Sequence, residues 1–125
     1  MKRIINTPNA PAAIGPYSQA VEANGMLFIS GQLPVNPASS KIEAESVTEQ
    51  TKQVFANIQA ILAEAGYTFA DVVKTTVFLA DIASFAEMNE VYKTFYQTDC
   101  PARSSFAVKD LPLGAKVEIE TIAIK

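Results

Sequence analysis

Residues 46–66 carry their own start and stop signals, and no other stretch narrows the fold as far. Ser46 and Glu49 stand three apart ahead of an apolar run, the spacing of a capping box in which each side chain covers the other residue's backbone N–H. Val54, Phe55, Ile58, Ile61, Leu62 and Ala65 then recur at helical spacing on one face. Gly66 supplies a residue that leaves a helix through the left-handed conformation. The pattern predicts an amphipathic helix over 47–65. Its apolar stripe must be covered by something else in the molecule.

The rest of the chain offers a sheet for that purpose. Met1–Ile5 reads as a short strand, followed by a loop through Pro8 and Pro11 and a turn at 14–17. Ser18–Ala23 and Met26–Ser30 read as strands joined at Asn24-Gly25, a pair that accepts positive φ and so suits a two-residue hairpin. Gly31 is expected to end the second strand, and Leu33–Lys41 reads as a loop. Thr68–Asp71 reads as a short capped turn. Val72–Ala80 is β-branched and apolar, which predicts a buried strand.

Ser84 and Glu87 predict a second capping box and a helix to about Gln97, with Met88, Val91, Tyr92 and Phe95 facing the core. Strands are expected at 104–108 and 116–124. The order is hairpin, helix, strand, helix, two strands, which makes an α+β fold with two helices on one face of a mixed sheet. By the period of two, Glu118, Glu120, Ile122 and Ile124 fall on the other face. Two aliphatics beside two carboxylates make neither a clean core nor a clean solvent face. Burial against another copy of the chain is the expectation.

Composition removes whole classes of function. The 125 residues fit one domain over 1–125, and 49% are apolar, enough for a core. The net charge is −3 and the ten Lys and Arg are scattered, with no basic footprint for a nucleic acid. Met1–Asn6 has charge but no apolar core of a signal peptide, and no run is long enough to span a bilayer. One cysteine, Cys100, allows no intrachain disulfide and fits a reducing, cytoplasmic setting. Histidine is absent. Ser-His and Cys-His nucleophiles and the usual zinc ligand sets are therefore out of reach, and a lone thiol builds no metal cluster. Catalysis would rest on carboxylates, hydroxyls, Arg, Lys, Tyr or the backbone, with no metal and no cofactor.

One constellation fits that restriction. Arg103 lies in the uncharged stretch Pro101-Ala102-Arg103-Ser104-Ser105-Phe106, and Glu118 and Glu120 lie on the last strand. A guanidinium donates two parallel hydrogen bonds to a small carboxylate, and a glutamate can move a proton or aim a water. Taken alone, an arginine in such a segment is more often a surface or ion-paired residue. Tyr17 could pack over a turn, and Ser30 and Gly31 could end a strand. Asn89, Ser104 and Ser105 could be inert, and Glu120 could face solvent.

Five motifs change that balance. Gly15-Pro16-Tyr17-Ser18-Gln19-Ala20, Ile29-Ser30-Gly31-Gln32-Leu33-Pro34, Lys74-Thr75-Thr76-Val77-Phe78, Pro101-Ala102-Arg103-Ser104 and Val117-Glu118-Ile119-Glu120 occur in this order across nearly the whole chain. Together they resemble the Rid family, the YjgF-like reactive-intermediate deaminases. The resemblance implies a chorismate-mutase-like α+β fold, a homotrimer whose sheets close into a barrel, and clefts between subunits. It implies hydrolysis of enamine and imine intermediates such as 2-aminoacrylate and 2-aminocrotonate to 2-keto acids and ammonia. Arg103 matches the residue that binds the substrate carboxylate, and Glu118 the one that orients the attacking water. Tyr17, Ser30, Gly31 and Asn89 match positions lining the cleft. Ser105 stands in the substrate-binding segment where many relatives carry cysteine, so no thiol role carries over. A regulatory trimer that binds small carboxylates or keto acids without turnover is the alternative from another class. A third reading, ribonuclease, is disfavoured by the acidic balance and absent histidine.

Overall fold

A computed structural model describes residues 1–125. The strands are β1 (Arg3–Ile5), β2 (Ala20–Ala23), β3 (Met26–Gln32), β4 (Val72–Leu79), β5 (Ala102–Ala107) and β6 (Val117–Ile124), and the helices are α1 (Val47–Ala65) and α2 (Phe85–Phe95). They form one six-stranded sheet in the order β1-β2-β3-β6-β4-β5. All neighbours are antiparallel except β4 and β5, which run parallel with α2 as the crossover between them. This is the α+β fold with two helices and a mixed sheet that the sequence predicts.

α1 has the predicted bounds. Ser46 Oγ accepts from Glu49 N at 3.1 Å, and Gly66 sits at φ 83° with its N–H on Ala63 O. The reciprocal half of the cap is replaced. Glu49 pairs with Lys52, and the orphan N–H of Thr48 goes to Glu87 on α2. Thr48 N and Oγ1 both donate to Glu87 Oε2 at 2.9 Å, which draws the two helices together at one end. The predicted Ser84–Glu87 capping box therefore does not form. A 3₁₀ turn over Ile82–Ser84, capped by Asp81, brings the chain into α2 already helical, so Ser84 makes no side-chain cap. At the other end of α1 two cations meet the last carbonyls, with Lys125 Nζ on Gly66 O at 2.7 Å and Arg3 Nη2 on Ala65 O at 3.2 Å.

The core lies between sheet and helices. Val54, Phe55, Ile58 and Ile61 of α1 are fully buried with Leu27, Val77, Leu79, Val117 and Ile119 of the sheet. Phe55 stacks on Phe95 at 4.3 Å and meets Tyr92 edge-on at 5.8 Å, which locks α2 to α1. Two buried amides bring in the loops. Asn57 Nδ2 donates to Leu33 O and Val35 O, and Gln50 donates to Ala44 O while accepting from Lys116 N.

Strand boundaries differ from expectation in ways that matter for the site. β3 continues through Gly31 to Gln32, with a register shift between Ile29 and Gln32 where it pairs β6. β5 begins at Ala102, so Arg103 is inside the ladder. β4 is buried on one face only: Thr75, Val77 and Leu79 face the helices, and Val73 is exposed. On β6 the odd residues face the helices and the even ones the opposite face, as predicted. That opposite face is not covered by any element. It presents Phe28 at 42% and Ile124 at 46% exposure, together with Phe106 and the half-buried Ile122 and Phe78.

Candidate functional site

The predicted site residues fall into two groups within one chain. The first is built around Arg103. In the parallel ladder Arg103 pairs with Thr75, a residue of the helix-covered face, so its side chain leans toward α2. Arg103 Nη1 donates to Asn89 Oδ1 at 2.7 Å. The guanidinium carbon lies 4.6 Å from the Tyr92 ring centre and 5.3 Å from that of Phe85. The ion pairs of the chain are Arg3–Glu22, Lys52–Glu49 and Lys93–Glu90, so no carboxylate neutralises Arg103. Ser105 pairs with Val77 and lies on the same face two residues on, with a buried Oγ that has no hydrogen-bond partner.

The second group joins Glu118, through Gly31, to β3 and to the turn that carries Tyr17. Glu118 pairs with Phe78, which itself pairs with Phe106, and the two rings meet edge-on at 5.5 Å on the face away from the helices. The Glu118 carboxylate packs against the bulged segment of β3, occupying the place where a side chain on residue 31 would begin, so Gly31 is the residue that lets it in. Burial raises the Glu118 carboxyl above its ordinary range, and the Glu120 charge adds to the shift. Ser30 is tied down beside it, its Oγ donating to Ser18 O at 2.7 Å and its N–H to Gln19 O at 3.0 Å. Tyr17 is half exposed, accepts weakly from Ile14 N at 3.4 Å, and shares with Gly31 a cavity of about 280 Å³ whose wall includes Ile14, Pro112 and Leu113.

Arg103 and Glu118 thus point to opposite faces of the sheet, and one chain does not bring them into a single cleft. Residues to which the sequence reading gave no site role, Phe85, Tyr92 and Gln19, help hold the two groups in place. Phe85, Asn89 and Tyr92 are spaced i, i+4, i+7 on α2, a helical stripe that could have been found once Asn89 was marked. Gln19 is buried and fastens the loop before Tyr17, accepting from Thr7 N at 2.7 Å and donating to Thr7 O, Ala10 O and Pro11 O. No pattern in the sequence distinguishes this glutamine from a surface one. No three His, Cys, Asp or Glu residues cluster to hold a metal, and no helix is long and apolar enough to cross a membrane.

The family model described as Endoribonuclease L-PSP matches residues 7–125. The 2-iminobutanoate/2-iminopropanoate deaminase of Capra hircus is 50% identical over 125 residues, covering 100% of this chain and 91% of that protein. A Yersinia pestis structure described as the conserved Rid protein family member YyfA superposes with a TM-score of 0.97 at 46% identity, covering 100% of both chains. The E. coli TdcF structure with bound serine gives 0.93 at 44% identity over 98% of each chain. With a matching family model over nearly its full length and relatives near half identity, the chain belongs to the Rid family, matched under the description Endoribonuclease L-PSP.

Proposed function

We propose that this protein hydrolyses small 2-imino and 2-enamino acids, 2-aminoacrylate and 2-aminocrotonate among them, to 2-keto acids and ammonia. The observation that carries the reading is Arg103: a half-buried guanidinium without a carboxylate partner, held by Asn89 and two aromatic rings. Such a group is prepared for an anion, and its fork suits a carboxylate. The deaminase name of the goat relative and the serine bound to TdcF support a small amino-acid-like substrate.

Arg103 binds the substrate carboxylate. The enamine tautomerises to the imine, and protonation of nitrogen makes C2 electrophilic. Water attacks C2, forming a carbon–oxygen bond, and Glu118 takes the proton that water gives up. The proton returns to nitrogen, the carbon–nitrogen bond breaks with its electron pair leaving on nitrogen, and the C2 hydroxyl gives its remaining proton to Glu118 or the departing ammonia, leaving ketone and ammonium. A carboxyl raised by burial is a better proton carrier near neutrality than an ordinary one. Tyr17, Ser30 and Gly31 line the Glu118 side, and Asn89 and Ser105 the Arg103 side.

Because the two groups face opposite ways, the cleft is completed by a second copy, one supplying Arg103 and the next Glu118. The uncovered apolar face, with Phe28, Ile122 and Ile124, supports a homotrimer whose sheets close on one another. A cytoplasmic setting suits the chemistry. The family description includes the word endoribonuclease, but a net charge of −3 with scattered basic residues offers little to a phosphate backbone.

The test couples a serine or threonine dehydratase to this protein and follows 2-keto acid release. Acceleration by the wild type, loss in Arg103→Ala and a strong decrease in Glu118→Gln are expected. Tight keto-acid binding with no acceleration would instead assign the cleft to a regulatory carboxylate-binding trimer.

A further inference from the structure

We propose that Tyr92 is a positioning residue for Arg103, and that the buried Thr75–Tyr92 hydrogen bond sets the plane in which the guanidinium meets its carboxylate. The inference rests on the reading of Arg103 as the carboxylate anchor. β5 is an edge strand, bonded to β4 on one side only. A long side chain there has many rotamers to lose on binding, which weakens an anion site unless something holds it beforehand.

The structure supplies the restraint as a closed circuit. Arg103 pairs directly with Thr75 across the β4–β5 ladder. Thr75 is fully buried, and its Oγ1 lies 2.7 Å from the Tyr92 hydroxyl. The Tyr92 ring then lies under the Arg103 guanidinium at 4.6 Å, with Phe85 one side further at 5.3 Å. Asn89, between these two aromatics on the same stripe of α2, takes one Nη1 hydrogen. The ring covers a face of the guanidinium and Asn89 one corner. The remaining N–H donors have no protein acceptor and are left for a carboxylate. Tyr92 is itself 5% exposed and packed against Phe55 and Tyr96. The hydroxyl in the core thus fixes a ring whose other function is to orient a charge at the sheet edge.

The experiment measures binding of 2-oxobutanoate by calorimetry and steady-state imine hydrolysis for Tyr92→Leu, Tyr92→Phe, Thr75→Val and Arg103→Ala. Removing the aromatic face in Tyr92→Leu should weaken 2-oxobutanoate binding roughly 2- to 30-fold, the range for loss of a cation–π contact. KM should rise by a similar factor with kcat little changed, as expected when ground and transition states lose the same interaction. Tyr92→Phe keeps the ring but cuts its tether, so its affinity should fall between those of the wild type and Tyr92→Leu, and wild-type affinity here would overturn the tether. Thr75→Val should match it, and the double change should cost no more than either alone, because both cut one tether. The latter two keep the core volume, so they test the tether where Leu proves too disruptive to fold. A folded Tyr92→Leu that binds 2-oxobutanoate like wild type while Arg103→Ala does not would overturn the positioning role and leave the anchor standing. Normal binding by Arg103→Ala would overturn the anchor itself.

Discussion

Arg103 and Glu118 stand on opposite faces of the same sheet: Arg103 pairs with Thr75 on the helix side, and Glu118 pairs with Phe78 on the uncovered side. In the proposed trimer each site draws one residue from each of two copies, so two dead variants can repair one another. Mixed oligomers of Arg103→Ala and Glu118→Gln should regain activity. Random mixing of equal amounts leaves roughly a quarter of the clefts with both residues intact. Co-purified mixtures with no activity above the separate variants would show that the two residues do not meet across an interface.

Gly31 and Glu118 make a second testable pair. A methyl on residue 31 would begin where the carboxylate now lies. The carboxylate is the free end of a flexible side chain, so it can move aside without disturbing the sheet. Gly31→Ala should therefore lower imine turnover about 10²-fold, the scale of a misplacement of about 1 Å, with little change in melting temperature. Unchanged kcat in this variant would mean that the position of Glu118 against β3 has no part in the reaction.

The Glu118 carboxyl also predicts a pH dependence of stability. Burial, and then the Glu120 charge, hold it above its ordinary range. The charged form is thus less favourable in the folded chain than in the unfolded one. This penalty is absent in acid, grows as pH rises through the ordinary carboxylate range, and is complete above the raised folded value. Glu118→Gln should melt at or slightly above the wild type at neutral pH, and the difference should vanish below roughly pH 4. Thermal scans across pH read this directly; a variant that melts lower at neutral pH and recovers in acid would reverse the sign.

Glu87 has the opposite sign. The Thr48 backbone N–H, followed by its hydroxyl, holds this carboxyl below its ordinary range. Its stabilisation is present above the unfolded value and is lost as pH falls through the lower, folded one. Glu87→Ala should lower the melting temperature at pH 7 and converge with the wild type in strong acid. Because the cap joins α2 to α1, hydrogen exchange in the first turn of α1 should rise in the variant.

The uncovered face should control assembly. Phe28→Asp places a charge in an apolar patch that the proposed trimer buries, and should produce smaller species by sedimentation together with lost activity. A fully trimeric, active Phe28→Asp protein would place that patch outside the interface.

The sequence by itself determined the elements whose signals are local. The α1 stripe with Ser46 and Gly66 specified its helix almost to the residue, and the Asn24-Gly25 pair its hairpin, with φ 52° and 75°. The alternation along 117–124 assigned each β6 side chain to its face correctly, because a period of two needs no partner to be read. The resemblance in five short motifs marked Arg103 and Glu118. The tertiary structure decided what depends on partners distant in the chain. Glu87 serves a helix 39 residues away rather than its own, because an orphan N–H accepts whichever carboxylate packing brings near. Gln19 is buried because three loop carbonyls converge on it. Tyr92, read from periodicity as plain core, lies beneath Arg103 because the crossover sets α2 against the edge strand. The two halves of the candidate site face apart because the parallel register that pairs Arg103 with Thr75 puts its side chain on the helix side, and no local pattern carries that register.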